Sequence, residues 1–175
     1  MNLKFFITGL VMFSVALGTI NLLANEQTNT TDPRTDLETM DKRTPVPLLP
    51  HMALHQKQNM REHLESIQGI ITALQKKDFK SIAEAASKMG FTPEMGRMCE
   101  HMGAGAPGFT ERAIRFHKTA DTIVLAAKRH DQKGVFTSLN NTLTQCTSCH
   151  AIYRQQVVDE ETMKVFTDKI ARHSH

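Results

Sequence analysis

The chain has 175 residues, 40% of them hydrophobic and 22% charged, with a formal net charge of +3, which suits one domain with its own core and excludes a disordered or fibrous chain. The charges are interspersed rather than gathered into a basic run, and this speaks against nucleic acid as a partner. Trp is absent and aromatics make up only 6%, so aliphatic and Met side chains must supply most of the interior, an interior that a bound cofactor would suit.

Met1 to Lys4 forms a short positive end, and Phe5 to Leu23 is an uncharged run of apolar and small residues. With Ala24 preceding polar sequence, residues 1–24 are expected to be a signal peptide for export. The alternative is an uncleaved membrane tether, because the run approaches the ~20 apolar residues of a spanning helix, although Thr8, Gly9, Gly18, Thr19 and Asn21 dilute it. Residues 25–50 are polar and punctuated by Pro33, Pro45, Pro47 and Pro50, a pattern that predicts a flexible or extended linker ahead of a domain over 51–175.

A first helix is predicted from about His51 to Gln75, with Met60, Leu64, Ile67, Ile71 and Leu74 as a continuous apolar stripe. Asp78 is placed to cap a short second helix whose inner face is Phe79, Ile82, Ala83, Ala86 and Met89. Thr92-Pro93 then marks a new helical start, with Pro at the first position, where its missing N–H is harmless. After a Gly-rich loop over 103–108, Thr110 is the expected N-cap of a helix lined by Phe109, Ala113, Phe116, Ala120, Ile123 and Ala127. Phe109 and Ile114 would form a hydrophobic staple there. The last long helix is expected to carry Val135, Leu139, Leu143, Cys146, Cys149, His150, Tyr153 and Val157 on one side, and no period-2 alternation predicts a strand. Four amphipathic arms with short connections predict an all-α fold, an antiparallel four-helix bundle with a cofactor in its core.

Within that last arm, Cys146-Thr147-Ser148-Cys149-His150 has the spacing of a covalent haem attachment site. Two thiols add to the two vinyl groups of a haem, and the histidine after the second cysteine coordinates the iron. Residues three and four apart share a helix face, so both sulfurs and the imidazole are presented together. A zinc site would want a second ligand pair, and Cys99 stands alone; a thioredoxin-like dithiol would want a βαβ setting. Thioether formation in bacterial cytochromes takes place outside the cytoplasmic membrane, so motif and export segment agree on the periplasm.

With the motif late in the chain and continued by Tyr153 and Arg154, the sequence resembles class II c-type cytochromes, the cytochrome c′ family. The resemblance covers about His51 to Val158 and rests on the motif, its position and the helix order. It implies a four-helix bundle holding one haem c, with the sixth iron position facing the first helix. Met60, on the stripe with Leu64 and Ile67, fits that position best, although a Met at helical spacing is equally ordinary core packing. Met52 is the next candidate, and His51, His55 and His63 lie on the same helix. His63 is expected at the pocket edge, His101, His117 and His130 at the surface, and His173 and His175 in a frayed tail.

Met89, Met95, Met98 and Met102 would suit copper(I) by softness, but flexible thioethers also fill irregular space beside a bulky cofactor. Cys99 is expected as a buried thiol, with pairing between subunits as the alternative. Arg154, one turn past His150, would reach a haem propionate or face water. The functional expectation is a periplasmic electron carrier, not an enzyme, with iron under His150 and Met60 and redox proteins as partners. The alternative is a five-coordinate module that binds nitric oxide or carbon monoxide, and a third reading is a haem subunit tethered to a larger respiratory complex. The resemblance also implies a homodimer as one form, although no distinct exposed apolar stripe marks its interface.

Overall fold

The computed structural model describes residues 39–173. The expected signal peptide, most of the expected linker and His175 lie outside them, as does the side chain of His173. In chain order the elements are strand β1 (Thr44–Leu48), helices α1 (Pro50–Gln75), α2 (Phe79–Ser87), α3 (Pro93–Gly103), α4 (Phe109–Lys128) and α5 (Gln132–Ile152), strand β2 (Tyr153–Val157), and helix α6 (Glu160–His173). The described chain is therefore mostly helical. No helix among the described residues is long and apolar enough to cross a membrane.

Local chemistry accounts for most boundaries. Pro50 opens α1, which ends in a tight turn where Lys77 adopts φ 53°. The Asp78 carboxylate then accepts the Ser81 N–H at 3.0 Å and the Ser81 hydroxyl at 2.6 Å, capping α2 as expected. Thr92 caps α3 through the Met95 N–H at 3.1 Å, with Pro93 behind it. Asp131 caps α5 through the Gly134 N–H at 2.8 Å. The start of α4 differs from expectation. Gly108, at φ 74°, is its N-cap, and the Thr110 hydroxyl instead donates to the Cys99 carbonyl at 3.3 Å, tying α4 to α3.

Helix α1 packs on α2, α2 on α4, and α4 on both α5 and α3. The approach of α1 to α2 is close at Gly69, where a Cβ would stand 3.3 Å from that of Ala85. The apolar stripe on α1 is only half as predicted. Ile67 and Leu74 are buried with Ile70 and Ala73, whereas Leu64 and Ile71 are 66% and 47% exposed. The cause is that α1 has a close helical neighbour, α2, on one side, so its buried face turns towards that neighbour.

Buried side chains form two separate clusters. In the first, Ile67, Ile70 and Leu74 of α1 meet Ile82 and Ala86 of α2, Phe116, Ala120 and Ile123 of α4, and Val135 and Leu139 of α5. In the second, Val46 and Leu48 of β1 meet Met52 of α1, Met102 of α3, Phe109 of α4 and Tyr153 of β2. The long helices run through both.

The strands correct the sequence reading. Residues 153–157 do not continue the helix. The chain turns extended at Tyr153 (φ −114°, ψ 146°) and pairs in parallel with β1, from Thr44 opposite Tyr153 to Leu48 opposite Val157. The end of the segment read as linker is thus a buried strand. Pro45 and Pro47 suit it, since each strand of a two-stranded ribbon has a free edge that needs no N–H. Alternation is missing because Val46, Pro47 and Leu48 are all buried, covered on both sides. Tyr153 holds the break: its ring packs edge-on to Phe109 at 5.4 Å and its hydroxyl donates to the Pro107 carbonyl at 2.7 Å. Helix α6 spans 14 residues and sends Met163 against the second cluster.

Tyr153→Phe keeps the ring and leaves the Pro107 carbonyl without this donor. The expected cost is about 1 kcal/mol of unfolding free energy, read from the midpoint of urea unfolding.

Candidate functional site

On α5 the buried positions Val135, Leu139 and Thr142 lead towards the cysteines, while Leu143, expected inside, is 37% exposed. Thr142 satisfies its hydroxyl on the Ser138 carbonyl at 2.9 Å, and its own carbonyl accepts the Cys146 thiol at 3.4 Å. Cys146 packs against the first cluster and Cys149 against the second. The motif therefore sits where the core is interrupted.

That interruption is a cavity of about 280 Å³. Cys146, Cys149 and His150 form its α5 wall. Met60, His63 and Leu64 face it from α1, Met95, Met98, Cys99 and Met102 from α3, and Phe109, Arg112 and Phe116 from α4. Leu64 is exposed because it stands on this cavity. Met52 does not line it; at 2% exposure it is packed into the second cluster. Of the two Met candidates, only Met60 faces the motif's cavity.

Burial pushes the thiols of Cys146 and Cys149 above the ordinary range, with Arg112 partly opposing the effect at Cys149. Burial also pushes Cys99 up, to about 11. Reactive dithiols need a depressed value, so this environment disfavours the oxidoreductase reading of the motif. Among the described residues no three His, Cys, Asp or Glu side chains converge as a metal site, although Cys99 shares the cavity with the motif.

Two histidines meet where α1 faces α4, His63 half-buried and His117 buried. His63 packs on the Phe116 ring at 4.8 Å and edge-on to His117 at 5.5 Å. His117, expected at the surface, is 4% exposed, and its Nδ1–H donates to the Met89 carbonyl at 2.8 Å. Its register was the available signal, since residue 117 lies four after Ala113 and three before Ala120 on the buried face. Burial, with His117 second, lowers His63 to about 4, and burial lowers His117. His101 and His130 are exposed as expected, His130 stacking on Phe79 at 4.9 Å.

A second cavity of about 360 Å³, with several charged side chains in its walls, adjoins the first, and Gln56, Met60, Phe109, Cys149 and His150 line both. Its other walls include Arg43, Lys57 and Arg154. Arg154 stands on β2 rather than a helix, and its buried Nε has no hydrogen-bond partner among the described residues. Sequence reasoning missed Arg43. It lies in the segment read as linker, yet its guanidinium donates to the His150 carbonyl at 3.1 Å, where α5 is about to end. Only the pairing of β1 with β2 brings it there.

No protein-family model, curated protein or solved structure matches this chain.

The paired histidines give a pH dependence. Unfolding returns them to about 6.5, so below that value the unfolded chain binds protons that the folded site resists. Stability is full above pH 6.5 and declines as pH falls from 6.5 towards 4, where His63 itself charges in the folded state. Urea midpoints measured between pH 7.5 and 5 should fall, and His63→Leu should remove much of that slope. Carboxylates such as Asp78 and Asp159, held low by their capping bonds, act only at lower pH.

Proposed function

We propose that the chain is a monohaem c-type cytochrome of the class II kind, built on a four-helix bundle, which carries single electrons between redox proteins outside the cytoplasmic membrane. One observation carries the reading: both thiols and the histidine of a CxxCH motif line a largely apolar cavity that Met60 faces from another helix. Cys146 and Cys149 would hold the haem by thioethers, and His150 and Met60 would ligate the iron. When bound, haem supplies a one-electron ferric–ferrous couple.

The residues present fit that group. The cavity is walled mainly by thioether, aliphatic and aromatic side chains, with Arg112 beside Cys149, and it opens into a basic space where Arg154 has a buried donor to spare. An amphiphilic ligand, flat and apolar with an anionic end, matches this division. Size points the same way: about 280 Å³ beside the motif is left unfilled by side chains and adjoins a second space of about 360 Å³.

The chain's own contribution is binding and tuning. The mainly apolar walls would lower the local dielectric around the group, which disfavours the more highly charged ferric state. A thioether ligand from Met60 acts in the same direction by favouring ferrous iron. His63 remains neutral at physiological pH and adds no charge beside the site. Electron carriage needs no general acid or base, and this reading assigns none. The exported location is carried by residues 1–24 and by where thioether attachment takes place.

The protein, produced with haem-attachment machinery, should gain the mass of one haem and lose it in Cys146→Ser with Cys149→Ser. Its reduced visible spectrum should show sharp low-spin bands that barely respond to carbon monoxide. Met60→Ala should broaden the spectrum and make it sensitive to carbon monoxide. A parent spectrum that is already broad and shifts readily with the gas would instead select the five-coordinate gas-binding module.

A further inference from the structure

The parallel ribbon builds something the helices alone lack. Strand β2 carries Arg154, the residue just before β1 is Arg43, and α1 supplies Lys57; together they stand in the wall of the second cavity beside His150. Asp41 lines it too and is held by Arg43 through two bonds, from Nε at 2.9 Å and Nη2 at 2.7 Å. The guanidinium keeps the Asp41 carboxyl down at about 2, with a smaller contribution from Arg154. Among the described residues neither Lys57 nor Arg154 forms an ion pair. Three cations thus face one resident carboxylate, and two positive charges are unmatched.

We infer that this annex is a dicarboxylate site, that Arg43, Lys57 and Arg154 take the two propionates of the porphyrin, and that β1 is thereby part of the cofactor site. The inference rests on the haem reading above and extends it to Arg43, Lys57 and the strand. Its chemistry follows from the shared wall: a group lying against Met60, Phe109 and Cys149 in the apolar cavity has its polar edge where the annex begins. Two carboxylates match the two unmatched charges, and guanidinium groups bind carboxylates in paired, charge-assisted bonds. Asp41 already shows Arg43 in that mode. Arg43 also holds the His150 carbonyl, so a single side chain spans the iron-ligand segment and the anionic edge.

Cations close to the iron disfavour its ferric state and keep nearby carboxyls ionised. The test is the midpoint potential of the haem-loaded protein between pH 5 and 9, measured by spectroelectrochemistry at constant ionic strength. Arg43→Gln should lower the potential at pH 7 and bring the pH-dependent limb of propionate protonation up towards neutrality. Arg43→Lys should restore most of the parent profile. Because Arg43→Gln could loosen β1, Lys57→Gln provides a second variant at an exposed position, with a smaller shift in the same direction. Profiles of Arg43→Gln and Lys57→Gln that superimpose on the parent overturn the inference. So does a saturable shift of the parent potential on adding acetate or phosphate, which would make the annex a site for free anions. A chain that gains no haem mass removes the proposed function itself; a haem-loaded chain with unmoved potentials removes only the annex.

Discussion

Helix α5 has to serve two hydrophobic clusters at once, and the stretch between them carries the cysteines. Val135 and Leu139 close the first cluster and Tyr153 enters the second, leaving Cys146 and Cys149 to face the space in between. The same division runs through the neighbouring helices: on α1 Met60 and His63 lie between Ala53 and Ile67, and on α4 Arg112 lies between Phe109 and Phe116. The spared stretch is central on α1 and lies towards one end of α4 and of α5, so side chains anchored in the two clusters hold the walls of the cavity apart.

The lining also explains the character of its titratable groups. The thiols of Cys99, Cys146 and Cys149 and the imidazoles of His63 and His117, placed among apolar side chains, lose hydration; the thiols rise and these two imidazoles fall, so each is pushed towards its neutral form. Positive charge stands at Arg112 on the α4 wall, beside Cys149, and at Arg43, Lys57 and Arg154 around the adjoining cavity. Mostly apolar walls next to a cluster of cations suit a ligand that is apolar on one side and anionic on the other.

Much of this was legible in the sequence. The cap at Asp78, the helix start at Thr92-Pro93 and the CxxCH spacing are local signals, and local chemistry decides them. What was not legible is non-local. Nothing in Tyr153-Arg154-Gln155-Gln156-Val157 forbids a helix; the segment leaves one because a tyrosine hydroxyl finds the Pro107 carbonyl and a strand edge lies 109 residues upstream. The rotation of the α1 stripe away from Leu64 and Ile71 depends on which neighbours α1 has, which a helical period alone does not specify. The burial of His117 is legible in its register, and the Met89 carbonyl, just past the end of α2, makes it tolerable.

The contact between Arg43 and the His150 carbonyl closes a loop of 107 residues. Helices form on local contacts, whereas a closure of this span must wait until both ends exist and have found each other. The rim of the site is therefore the last part to be assembled, and the part that trimming removes first. A polypeptide begun at α1 would keep every helix, both cysteines and Met60, and would present its cavity with one side of the mouth missing.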